Sequence, residues 1–109
     1  TKLINMDQMN ILIADDHKMF REGLSELLSK ENNMVVVGDV GSGQEIRDLL
    51  GQQKVDIILM DIDMGETSGI DMTAEIKKDH PDIKILALSK KRKKLKTRHL
   101  PTVKLKSLC

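Results

Sequence analysis

Four short apolar runs, at residues 10–14, 34–37, 55–60 and 83–88, are separated by segments of helical period. That alternation constrains the fold more than anything else in the chain. The runs are short, and they suit strands of a sheet covered on both faces. After the first run, Met19, Phe20, Leu24, Leu27 and Leu28 fall on one stripe of a helix predicted over about 18–30. Arg21, Glu22, Ser25 and Glu26 are then left for water. Asn32 and Asn33 end this helix, and Gly38, Gly41 and Gly43 read as a flexible connection after the second strand. Ser42 with Glu45 forms a capping box for a short helix buried through Ile46, Leu49 and Leu50. Ser68 with Asp71 opens another, over about 70–79, which stops before Pro81. Four strands alternating with helices predict an α/β fold, a parallel sheet wound with right-handed crossovers.

A chain of 109 residues supports one small domain. Its net charge of +1 hides a division. Residues 1–89 hold all 17 acidic and only nine basic residues, whereas residues 90–109 hold nine basic and no acidic ones. The expected organisation is a leader at 1–8, a domain at 9–89 and a basic tail at 90–109. The single Cys109 allows no internal disulfide and no run approaches a bilayer span, so a reducing, cytoplasmic location without membrane contact is expected. The tail lacks interleaved aromatics and a helix-turn-helix, so DNA binding by this chain is not expected. Residues 102–106 alternate like an edge strand with lysine on the solvent face.

Three of the strands run directly into polar residues: Asp15 and Asp16 after the first, Asp61 after the third and Ser89 after the fourth. In open α/β sheets this rim is where ligands bind. Two carboxylates about 4 Å apart repel by roughly 4 kcal/mol at an effective dielectric of about 20, so the cluster needs a counter-charge. An oxygen-only donor set suits Mg²⁺. The alternative for Asp15 or Asp16 is a helix N-cap.

The motifs ILIADDH at 11–17, LMDIDM at 59–64 followed by Gly69, and LALS at 86–89 resemble the receiver domain of a bacterial two-component response regulator of the NarL/FixJ type. The resemblance covers residues 9–89. It implies a flavodoxin-like, doubly wound parallel sheet of order 2-1-3-4-(5), and a sensor histidine kinase as partner in a phosphorelay. By the same resemblance Asp61 is the phosphoacceptor and Ser89 the hydroxyl that bonds a phosphoryl oxygen. Asp15, Asp16, Asp61 and the backbone carbonyl of Asp63 then form the Mg²⁺ site, and His17 is a helix-start residue. A receiver of this kind accepts phosphate rather than acting as an enzyme, and its output is a separate DNA-binding transcriptional domain.

The sequence departs from that pattern. Gly65 replaces the usual loop proline, which should loosen the loop. The last β-α unit is missing or altered, and with it the lysine that ends the family's fifth strand. The loss of both acidity and resemblance after Ser89 fits an altered or truncated end. An uncovered fourth strand would favour self-association, by dimerisation or segment exchange. Two rival readings are a non-phosphorylated interaction module and a haloacid-dehalogenase-like phosphatase using Asp61 and Asp63.

Overall fold

The computed structural model describes residues 8–65, 67–90 and 103–107. In chain order the elements are β1 (Met9–Ala14), α1 (Lys18–Ser29), β2 (Met34–Val40), α2 (Gly43–Leu50), β3 (Ile57–Asp61), β4 (Asp63–Met64), β5 (Thr67–Ser68), α3 (Gly69–Asp79), β6 (Lys84–Lys90) and β7 (Val103–Ser107). The main sheet has the order β2-β1-β3-β6-β7. Its first four members are parallel and, counted by apolar run, stand in the expected order of second, first, third and fourth.

Alternation along each strand divides the apolar residues between two cores. Leu12, Ala14, Ile58, Met60 and Ile85 face Ile46 of α2 and Met72 and Ile76 of α3. Ile11, Ile13, Leu59 and Leu88 face Phe20, Leu24 and Leu28 of α1. The sheet is thus covered on both faces, as its continuous apolar runs require. Ser42 and Ser68 cap α2 and α3, accepting from the amides of Glu45 and Asp71 at 3.2 Å each.

Four expectations need correction. The stripe predicted for α1 is too wide: Met19 and Leu27 are 85% and 62% exposed, and only Phe20, Leu24 and Leu28 meet the sheet. Gly38 is not a connection but part of β2, which runs on to Val40. A bulge allows this, because Ile11 pairs with Val36 and Leu12 with Gly38, leaving Val37 as the extra residue. Gly65 does more than replace a loop proline. It turns the β4-β5 hairpin, which pairs Asp63 with Ser68 and Met64 with Thr67, at a φ of +62°. Proline, fixed near −65°, could not take that place.

The fourth correction concerns the sheet edge. β6 is not left open, because β7 of the same chain pairs with it antiparallel, from Leu86 opposite Ser107 to Lys90 opposite Val103. An edge strand therefore does form at Val103–Ser107, overlapping the period-two pattern, and the sheet itself does not require a second copy to cover β6. The leader, apart from Gln8, and residues 91–102 and 108–109 of the tail lie outside the described residues. Among the described residues no helix is long and apolar enough to cross a membrane.

Candidate functional site

The parallel strands end at one rim because their register is level: Ala14 pairs with Met60, and Asp61 with Leu88. The next residues after β1 and the last of β3 are therefore neighbours. Asp15 is fully buried and Asp61 is 4% exposed, both unusual for carboxylates. Ligand atoms of Asp15, Asp16, His17 and Asp61 all lie within 4.8 Å of one another. The structure thus brings together three of the expected site residues and adds His17.

Local bonds hold this cluster. Asp15 Oδ1 accepts the backbone N–H of His17 at 2.8 Å, which tightens the turn between β1 and α1. The His17 ring lies with Nδ1 3.1 Å from Asp15 Oδ1 and 2.9 Å from Asp16 Oδ1, so an Nδ1–H tautomer bridges both carboxylates. His17 is itself the N-cap of α1, with no side-chain cap bond. Neither aspartate therefore takes the N-cap position of α1.

Arg21, expected to face water, has a side chain only 15% exposed. Its Nη1 donates to the Asp15 carbonyl at 2.7 Å and its Nε to Asp39 Oδ1 at 2.9 Å. This guanidinium fixes the backbone that carries the acidic pair. Nothing in the periodicity of α1 separates Arg21 from its exposed neighbours. The adjacency of His17 to Asp15-Asp16, by contrast, was a visible signal.

Asp63 meets the cluster through its backbone, whose N–H donates to Asp61 Oδ1 at 3.1 Å, while its side chain is exposed. On the other side of the rim, Gly65 brings the hairpin close enough that a Cβ there would stand 3.2 Å from Asp16 Oδ2. Gly69 sits against the end of β3, its N–H donating to the Ile62 carbonyl at 2.9 Å. Ser89 follows Leu88 in β6 at the same rim, but its side chain lies outside the described residues.

The chemistry of this donor set fits a hard divalent cation. Three carboxylates at one rim, one of them about a third exposed, offer hard oxygen ligands and leave a solvent side for water or substrate oxygens. Carboxylates so close are held against mutual repulsion by His17 and nearby amides, and a divalent cation would offset that repulsion directly.

The family profile for the response regulator receiver domain matches residues 11–103. DegU of Brevibacillus brevis, a transcriptional regulatory protein, is 37% identical over 86 residues, covering 79% of this chain and 36% of that protein. The response regulator VraR of Staphylococcus aureus is 42% identical over 81 residues, covering 74% and 39%. This chain therefore spans under two-fifths of the length of these relatives. Among solved structures, the non-phosphorylated receiver domain of the stress response regulator RcsB from Escherichia coli superposes with a TM-score of 0.70 at 26% identity, over 75% of this chain and 65% of that one.

Proposed function

The chain belongs to the response regulator receiver domain family, and we propose that Asp61 is its phosphoacceptor, with Asp15, Asp16 and Asp61 holding Mg²⁺. One observation carries this reading: the buried Asp61 closes β3 within 4.8 Å of Asp15, Asp16 and His17 at the carboxyl rim of the sheet.

In the proposed reaction a carboxylate oxygen of Asp61 attacks phosphorus, forming an acyl phosphate. The bond from phosphorus to the donor atom breaks, and its electron pair stays on the donor, which takes a proton from solvent. A sensor histidine kinase is the proposed donor. Asp15, Asp16 and Asp61 would hold Mg²⁺, which would supply the charge neutralisation that two anionic reactants need. The protein's part is positioning. The Asp63 amide orients Asp61 through Oδ1, and Arg21 fixes the turn that presents Asp15 and Asp16. Ser89, at the end of β6, is the proposed hydroxyl donor to a phosphoryl oxygen, and the Asp63 carbonyl a proposed backbone ligand. Such a domain is a stoichiometric acceptor rather than a turnover enzyme. By likeness to DegU, the phosphorylated state is proposed to act on transcription through a DNA-binding region or partner.

The test is incubation of the chain with phosphoramidate and Mg²⁺, followed by intact-mass and peptide analysis. One base-labile phosphate on Asp61, dependent on Mg²⁺ and lost in Asp61→Asn, is expected. Equal modification of Asp61→Asn would place the acceptor elsewhere.

A further inference from the structure

The acidic rim holds one side chain whose chemistry differs from the rest. Among the described residues, Asp15, Asp16, His17 and Asp61 are the one grouping of possible metal ligands, and only His17 brings a nitrogen to it. Its Nδ1 stands 2.9 Å from Asp16 Oδ1 and 3.1 Å from Asp15 Oδ1. Ligand atoms at adjacent corners of an octahedron with bonds of about 2.1 Å are about 3 Å apart. The imidazole nitrogen is thus spaced from both carboxylates as atoms sharing one cation are.

The backbone fixes the residue in this place. The His17 N–H donates to Asp15 Oδ1 at 2.8 Å, and the His17 carbonyl accepts the N–H of Arg21 at 3.0 Å as α1 begins. Arg21 in turn holds the Asp15 carbonyl at 2.7 Å. Without a cation, Nδ1–H bridges the two carboxylates. In its ligating form the ring carries that proton on Nε2 instead, and the Nδ1 lone pair replaces the bridging hydrogen. The imidazole is 43% exposed, so water can solvate Nε2–H, and the exchange of tautomers leaves the ring neutral.

We propose that His17 Nδ1 is a nitrogen ligand of the rim and sets its preference among divalent cations, drawing it from Mg²⁺ toward octahedral transition ions such as Ni²⁺. The inference rests on the reading of Asp15, Asp16 and Asp61 as a divalent-cation site. Imidazole suits borderline ions, whereas Mg²⁺ takes oxygen ligands and keeps several waters. Mg²⁺ therefore gains from the carboxylates alone, and a transition ion from the carboxylates and His17 together. His80, by contrast, stands at the C-cap of α3 and in no such grouping.

The full chain is titrated separately with Mg²⁺ and Ni²⁺, and affinity is read from the amides of residues 61–65, by shift for Mg²⁺ and by paramagnetic broadening for Ni²⁺. The test variant is His17→Asn, because asparagine is a favoured N-cap and offers no imidazole nitrogen. It should weaken Ni²⁺ binding by about tenfold or more and leave Mg²⁺ affinity within about threefold. With Ni²⁺ the unaltered chain should also show a strongly shifted, exchangeable imidazole N–H signal that is lost in His17→Asn and kept in His80→Asn. Unchanged Ni²⁺ affinity in His17→Asn, equal loss of both cations, or a shifted signal that follows another histidine overturns the inference. If Mg²⁺ leaves these amides unmoved while Ni²⁺ binds there with the His17 signal, the Mg²⁺ reading fails and the role of His17 stands. If neither cation reaches the rim, both fall.

Discussion

Gly69 and Asp61 share a space that admits no side chain: a Cβ on Gly69 would collide with the Asp61 carbonyl oxygen and come within 2.7 Å of the Ile62 Cα. Both obstacles are backbone, which cannot swing aside. The first residue of α3 is therefore pressed onto the strand end that carries the proposed acceptor. Gly69→Ala should cost about 1–3 kcal/mol, as overpacking usually does, and weaken Mg²⁺ binding by displacing Asp61. Gly23→Ala is the control, since nothing lies within 4 Å of a Cβ there in the middle of α1. It should stabilise by about 0.5–1 kcal/mol, so thermal unfolding of the two variants should move in opposite directions.

Gly65 poses a different demand, a backbone φ of +62° at the turn of the β4-β5 hairpin. Asparagine tolerates that region, alanine less so, and proline not at all. Thermal midpoints should therefore fall in the order Gly65→Asn, Gly65→Ala, Gly65→Pro. A proline variant as stable as the glycine chain would contradict the hairpin.

The parts of this fold that were legible in the sequence are those set by local periodicity. The runs that became β1, β2, β3 and β6 are continuous because both faces of the sheet are covered, and the serine caps of α2 and α3 are signalled three residues ahead. The acidic rim was legible because Asp15, Asp16 and Asp61 each follow an apolar run. What escaped depends on partners distant in sequence. Arg21 is half-buried because Asp39 and the Asp15 carbonyl bind its guanidinium, and Leu27 is exposed although its spacing suits the stripe. Gly38 reads as part of a connection in the sequence because a bulge depends on pairing between strands. The last strand carried a period-two pattern, but its antiparallel direction against β6 is set by pairing and not by the pattern.

Mg²⁺ binding should separate the carboxylates by their placement. Asp16→Asn and Asp61→Asn each remove a charge from the cluster and should weaken binding on the order of tenfold or more. Asp63→Asn should remain within about twofold, because Asp63 meets the cluster through its backbone N–H and its side chain is exposed. Amide shifts at residues 15–17 and 61–65 during titration report the affinity. Equal loss in Asp63→Asn would mean that the exposed carboxylate is a ligand.

Across the α2-α3 face, Arg47 grips Glu75 with two bonds of 2.6 and 3.0 Å. The hydrogen bond from Arg47, reinforced by its charge, holds the Glu75 carboxyl below its usual value. A carboxyl with a lowered folded pKa adds stability above its unfolded value, about 4.3, and loses it as pH falls through the folded value. The difference in thermal midpoint between the unaltered chain and Glu75→Gln should thus be steady from neutral pH to about 5 and shrink below about 4. Both groups are exposed, so the difference is small at every pH. A gap that widened on acidification would reverse the assignment.

Removing β7 should change the state of association. β7 pairs with five consecutive residues of β6, from Leu86 to Lys90, and occupies the outer edge of the main sheet. A chain ending at Thr102 would bare that edge, with unpaired N–H and C=O groups alongside Leu86 and Leu88. Such an edge is a template for a strand of another copy. An uncovered apolar patch of a few hundred Å² is worth several kcal/mol at about 25 cal/mol per Å², comparable with the stability of a small domain. In the full chain the outermost strand instead carries Lys104 and Lys106, and lysine on an edge opposes strand pairing between copies. Light scattering after size exclusion in reductant should therefore find the truncated chain more associated than the full one at equal concentration. Equal masses would show that β7 does not protect β6.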